Sequence, residues 1–242
     1  MFNEILESTI TILKNELWKA IYETAIMLGI SFVFSLVFGS IFGFLLYLTA
    51  NKAFFQKPVL NKVIAAVINF IRSVPFIILV VFTLPFTFFL VGTKIGPVAA
   101  SVPLSITATV FLARLIEISL KEVDSGVIEA ALATGAKTSL IIRKVLLVEA
   151  APGIARGITV TFISLIGFSA MAGMVGGGGI GNLAVQYGYY RYETGIMIFT
   201  IVVLVFIVQL AQYIGDYLAL RSVSHKHWQG SDALLLRVFA FT

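Results

Sequence analysis

The chain has 242 residues, of which 59% are hydrophobic and 12% charged, and its mean hydropathy is +1.02. Soluble domains carry roughly 25% charged residues, so this composition excludes an ordinary soluble fold. The absence of cysteine excludes disulfides, thiolate metal sites and thiol nucleophiles, and the formal charge of +5 is spread over basic residues flanking apolar runs, which argues against nucleic-acid binding.

Residues 1–20 lack the basic start, compact apolar core and small-residue cleavage site of a signal peptide. Ile5, Leu6, Ile12, Leu13 and Leu17 suit an N-terminal helix lying at a membrane interface. The apolar run over 21–49 is the first of five that approach or exceed the ~20 residues needed to cross a bilayer. The expectation is an all-α, polytopic helical membrane protein with five transmembrane helices in a domain over 21–220.

The second span falls inside 63–91, a run longer than a bilayer requires and interrupted by Pro75 and Pro85. A helix there either kinks or leaves the membrane for part of its length. Division into two spans is not expected, because each piece would be too short. Arg72 separates VIAAVINFI from SVPFIILVVF, and it is expected near an interface, snorkelling or paired. In the third span, 98–120, Arg114 and Glu117 are three apart and share a helix face, so they are expected to pair.

A polar connection over 121–147 follows. Asp124 or Ser125 can cap a short helix VIEAALAT, and Gly135 fits the left-handed position that ends it. Thr138 or Ser139 can cap a second helix, LIIRKVLLVEA, that leads into the fourth span, 151–171. Ala130, Ala131 and Ala133 present a low-profile face to which another helix can come close, and Glu129 can accept bonds from a partner. The same residues also fit a packing connector between two spans.

Beyond the fourth span, GMVGGGGIG at 173–181 lacks the Lys-Ser/Thr ending of a phosphate loop. The fifth span is 195–220, followed by a tail over 221–242. His225 and His227 in that tail, without a carboxylate cluster, read as solvated surface rather than a metal site. Ten Lys and Arg residues lie on one set of connections: Lys52, Lys57, Lys62, Lys121, Lys137, Arg143, Lys144, Arg221, Lys226 and Arg237. Four lie on the other: Lys14, Lys19, Lys94 and Arg191. The richer side is expected to be cytoplasmic, which puts the N-terminus out and the C-terminus in.

Glu129-Ala130-Ala131, then Gly135, then Val145-Leu146-Leu147 resembles the EAA motif of ABC-importer permeases. Val148 stands where that motif usually has proline, with Pro152-Gly153 following closely as an alternative break. Arg72 to Phe76, Val91 to Gly96, Gly177 to Gly181 and Gln186 to Tyr189 are similar to the methionine-type permeases of that family. The resemblance covers about residues 20–220.

It implies a permease subunit in a bacterial cytoplasmic (inner) membrane, working as a homodimer with two ATPase subunits and a periplasmic or lipid-anchored substrate-binding protein. Glu129, Ala130, Ala131, Gly135, Ala136 and Leu147 would form the ATPase contact. No cofactor is implied in this chain, ATP and Mg being held by the partner ATPase. Met171, Met174, Gly177 and Gly179 are the candidate outer gate at the dimer axis, the alternative being a tight outer re-entry built on the glycines. An ABC permease for another amino acid or small solute is the alternative. A secondary carrier is disfavoured by the shortage of mid-membrane acidic groups and the lack of a detectable inverted repeat. No HExxH, GxSxG or paired intramembrane carboxylates point to an enzyme.

Overall fold

The computed structural model describes residues 2–223, and every element among them is a helix. The histidines at 225 and 227 and the tail beyond them lie outside the described residues. In chain order the elements are α1 (Phe2–Phe34) and α2 (Ser40–Ala50), joined by a π turn (Ser35–Gly39), then α3 (Pro58–Ser73), α4 (Phe76–Val91) and α5 (Pro97–Lys121). The polar connection holds α6 (Ser125–Ala133) and α7 (Thr138–Ile141), and a second π turn (Ile142–Leu146) leads into α8 (Leu147–Ala172). A third π turn (Gly173–Gly177), α9 (Gly179–Leu183) and a fourth π turn (Ala184–Tyr189) precede α10 (Thr194–Val223).

Four helical stretches are long and apolar enough to cross a membrane: Glu7–Ala50, Pro97–Lys121, Thr138–Gly177 and Thr194–Leu220. The α3–α4 pair, bent by 111°, makes a fifth if it counts as one broken span. Each half has 16 residues, about 24 Å of helix, against a hydrocarbon layer of about 30 Å. The break falls at Val74-Pro75, where the pre-proline residue is extended (ψ 125°), whereas Pro85 is carried inside α4 without interrupting it.

The central helix is α5, against which α1, α2, α3, α4 and α8 all pack. Close approach comes from small residues at helical spacing. Ser31, Ser35, Gly39 and Gly43 recur every four residues along the first rod. Ser31 Oγ donates to the Ser101 carbonyl at 3.2 Å. A Cβ on Gly43 would lie 2.8 Å from both the Ala113 carbonyl oxygen and Ile116 Cβ. From the other side, α8 brings Gly153 and Gly157 against Ser119 and Leu115. At Gly43 and Gly153 the helices lie closer than a residue with a Cβ allows.

Residues 2–20 do not form a separate layer. The first helix runs unbroken through residue 20, and Ile12, Leu13 and Leu17 pack on a cluster of Ala20, Ile180, Leu183 and Ile196. Ser8 Oγ donates to Glu193 at 3.0 Å, tying this rod to the connection before α10.

The break in α3–α4 also moves Arg72 from its expected place near an interface. Ile71, its neighbour, lines an apolar pocket of about 410 Å³ with Phe34, Phe38, Ile106, Thr109 and Val110. Those residues sit midway along the first rod and α5. Phe76, the first residue of α4, joins the cluster of Leu104, Ala108 and Leu165, with its ring 4.9 Å from Phe168. Arg72 is therefore at mid-depth, and it is exposed.

Gly43→Val is expected to destabilise the detergent-solubilised chain by about 1–3 kcal/mol through overpacking against α5. Gly29→Ala, whose new methyl meets nothing within 4 Å, serves as the matched control. Equal melting temperatures in thermal unfolding would refute the seam as the basis of this packing.

Candidate functional site

At one end of the bundle, α6 and α7 form a helix–turn–helix seated on the ends of α2 and α5. Asp124 is the N-cap of α6, its Oδ1 accepting from Gly126 N at 2.7 Å. Gly135 ends the helix with φ +74°, and its N–H donates to the Leu132 carbonyl at 2.9 Å. No neighbour lies within 4 Å of a Cβ built there, so backbone conformation alone demands glycine. The cap of α7 differs from expectation: Lys137 occupies the N-cap with no side-chain bond, and Thr138 is already helical. Leu140 N and Ile141 N close the first turn on the Lys137 carbonyl.

The anchors of this element are Ile128, Ile141 and Leu146, buried in one cluster with Tyr47, Leu112, Ile116 and Leu120. Of the six residues singled out from the motif, Glu129, Ala130 and Gly135 are exposed. Ala131 and Ala136 are half-buried against the cluster, and Leu147 is half-buried beside fully buried Leu146. The outward surface thus combines Glu129, Ala130, Ala133 and Gly135 with exposed Leu132 and Leu140. Sequence reading missed the anchors, although their apolar spacing around EAALATG is a readable signal.

Glu117 lies buried just inside this end. The expected pair with Arg114 is present at 2.5 Å, and Lys121 Nζ adds a second contact at 2.7 Å. One carboxylate between two cations one turn away on either side is a satisfied structural group.

The second helix is not broken at Val148 or at Pro152. The helix runs on from Thr138 through Ala172, with Pro152 inside it and the π turn Ile142–Leu146 upstream, and helical backbone ends at Val175 and Gly176.

At the opposite end the glycine-rich segment makes a tight corner. The chain turns through positive φ at Gly176, Gly178 and Gly179. Gly179 N donates to Glu23 Oε2 at 2.7 Å and Ile180 N to Thr24 Oγ1 at 2.9 Å, so α1 caps the start of α9. A Cβ on Gly178 would collide with the Glu23 carboxylate. Gly96 N donates to the Gly176 carbonyl at 2.8 Å, joining the α4–α5 connection to the corner.

Gly177 and Gly179 are buried in this packing, whereas Met171 and Met174 are 46% and 56% exposed. The four candidate gate residues therefore divide into a buried inner pair and an exposed outer pair. Met174 borders a polar pocket of about 350 Å³ shared with Glu16, Lys19, Glu23, Asn182 and Gln186. Glu23 and Thr24 were not legible as partners, being 156 residues away from the amides they cap.

A five-span helical bundle with an exposed helix–Gly–helix between its third and fourth crossings has a close match among known families. Residues 35–223 match the binding-protein-dependent transport system inner membrane component. The chain belongs to that family. It is 46% identical over 209 residues to a probable D-methionine transport system permease protein of Vibrio cholerae, covering 86% of this chain and 91% of the relative. It is 51% identical over 201 residues to the methionine import system permease protein of Bacillus subtilis, covering 83% and 90%. An inward-facing structure of the MetNI methionine ABC transporter superposes with TM-score 0.81 at 42% identity, covering 87% of this chain and 97% of that one. The fold is thus that of an ABC-importer permease, and the chain is a multi-pass membrane protein.

Glu23→Ala is expected to lower stability by roughly 0.5–2 kcal/mol through loss of the cap on α9. Glu23→Gln, which keeps an acceptor oxygen, should lose less. Thermal unfolding of both variants in detergent checks the order, and reversal of that order would contradict the capping role.

Proposed function

We propose that this chain is the membrane-spanning subunit of an ABC importer that carries methionine, in its L- or D-form or as a derivative, into a bacterial cell. The observation that carries the reading is the outward surface of α6–Gly135–α7, built from small and apolar residues with one carboxylate and rigidly seated on α2 and α5. Such a surface admits a cleft of another protein without clash, and buried Ile128, Ile141 and Leu146 pass load from it into the bundle core. The family and the methionine permeases among its relatives supply the partner and the cargo.

In this reading a separate ATPase dimer binds α6 and α7 on the cytoplasmic side, with the N-terminus out and the C-terminus in. ATP and Mg are held by that ATPase, and this chain performs no hydrolysis. A second copy of the chain completes the passage. A substrate-binding protein, periplasmic or lipid-anchored, delivers the cargo at the glycine-rich end, where exposed Met171 and Met174 are the candidate outer gate. ATP binding drives transport only through differential affinity for the two conformations of the permease.

Proteoliposomes holding this chain, its ATPase and its binding protein are expected to accumulate methionine only when ATP is supplied. Accumulation by the chain alone would establish a carrier of another class.

At the docking surface, Glu129→Lys reverses an exposed charge and should weaken co-purification of the ATPase while membrane insertion is retained. Gly135→Val should do the same, because a β-branched residue is strained at φ +74°, whereas Gly135→Asn should be better tolerated. Unchanged assembly and uptake in the Lys and Val variants would return the segment to a connector.

A further inference from the structure

Arg72 lies level with the middle of α5 and of the first rod, and so at the middle of the hydrocarbon layer that they cross. A charge on a helix at that depth is costly and is tolerated where it faces a bundle interior or a water-filled cavity. About 15 Å separates mid-depth from either polar boundary of a 30 Å layer, too far for a side chain to place its charge there. Snorkelling therefore does not account for Arg72.

Protein counter-ions do not account for it either. Arg72 makes no ion pair among the described residues. The described carboxylates lie toward the two ends: Glu7, Glu16, Glu23 and Glu193 at the glycine-rich end, and Glu117, Glu122, Asp124, Glu129 and Glu149 at the other, with Asp216 in the closing turns of α10. The deepest of them, Glu117, is already held by Arg114 and Lys121. A second copy of the same chain has the same distribution, so it brings no mid-depth carboxylate to a shared passage.

The side of α3 near Arg72 is polar as well. Lys62, Asn69 and Ser73 recur at helical spacing and are exposed, with Asn69 one turn below Arg72. The apolar exposed residues Val59, Val63, Val67 and Phe70 lie on another side of the same helix. One side therefore suits lipid and the other suits water. Irregular backbone at membrane depth, as at Val74-Pro75, is tolerated where it lines such a wet passage.

We infer that Arg72 is a transit site for the carboxylate of the amino acid that crosses this membrane. The inference rests on the importer reading above. A guanidinium offers a carboxylate two parallel hydrogen bonds, and at mid-depth the pair forms with little competition from bulk water. Asn69 supplies a neutral polar group one turn away for the rest of a zwitterion. Because Arg72 is exposed and stands alone, the site holds its ligand weakly, as a passage must if cargo is to leave it.

The test uses the complete complex of permease, ATPase and binding protein in proteoliposomes, with labelled methionine as the probe. Arg72→Met removes the charge at similar bulk. It should leave ATPase co-purification intact and raise thermal stability, since a mid-depth charge is lost, yet lower methionine uptake per ATP hydrolysed about tenfold or more. Arg72→Lys, which keeps the charge without the planar fork, should fall between the two, mainly through a higher KM for uptake.

Wild-type uptake per ATP in Arg72→Met would overturn the inference. Loss of stability or assembly in that variant would overturn it too, by making Arg72 a structural residue. A wild-type complex that hydrolyses ATP but imports no methionine would instead remove the importer reading on which the inference rests.

Discussion

Backbone proximity around α5 is the constraint on which the rest of the structure depends. In a bilayer, helices gain nothing by hiding from water, so association rests on van der Waals contact between surfaces that fit. Two seams free of bulky side chains provide it here. Ser31, Ser35, Gly39 and Gly43 bring the first rod against one side of α5, and Gly153 and Gly157 bring α8 against another. Once α5 is enclosed this way, its lower end becomes a platform. Leu112, Ile116 and Leu120 then receive Ile128, Ile141 and Leu146, and the polar connection acquires a fixed seat.

The two ends are held by different physics. The α6–α7 end is an apolar joint, with three buried aliphatic anchors and a carboxylate clasped by two cations beside them. The glycine-rich end is a hydrogen-bonded joint, in which Glu23 and Thr24 satisfy the free amides of α9 and Gly96 ties in the α4–α5 connection. An apolar joint suits a surface that must bear load. A corner dense in positive-φ glycines and directed hydrogen bonds suits a place where backbone must turn within a few residues.

Legibility in the sequence followed the range of the interactions concerned. The spans, the Asp124 cap, the Gly135 turn and the Arg114–Glu117 pair are local, set by spacings of a few residues, and each could be read directly. The continuity of α7 into α8 could not, because Pro152 signals a break and yet lies inside α8. The partners of the glycine corner were hidden because they come from the opposite end of the chain. The depth of Arg72 was hidden for a third reason: hydropathy records how much apolar sequence there is, and the 111° bend at Pro75 decides how far along it the middle of the membrane falls.

The long helix that runs from Thr138 to Ala172 has a mechanical consequence. Its glycine seam at 153–157 lies about 25 Å from Thr138 in one direction and about 25 Å from Met171 in the other, at 1.5 Å per residue. The contact with Ser119 and Leu115 is therefore the fulcrum of a lever with two equal arms. A tilt of a few degrees about it swings Thr138 and Met171 through similar arcs in opposite senses. A helix that tilts as one body about this seam therefore couples the two mouths of the molecule, narrowing one as it widens the other.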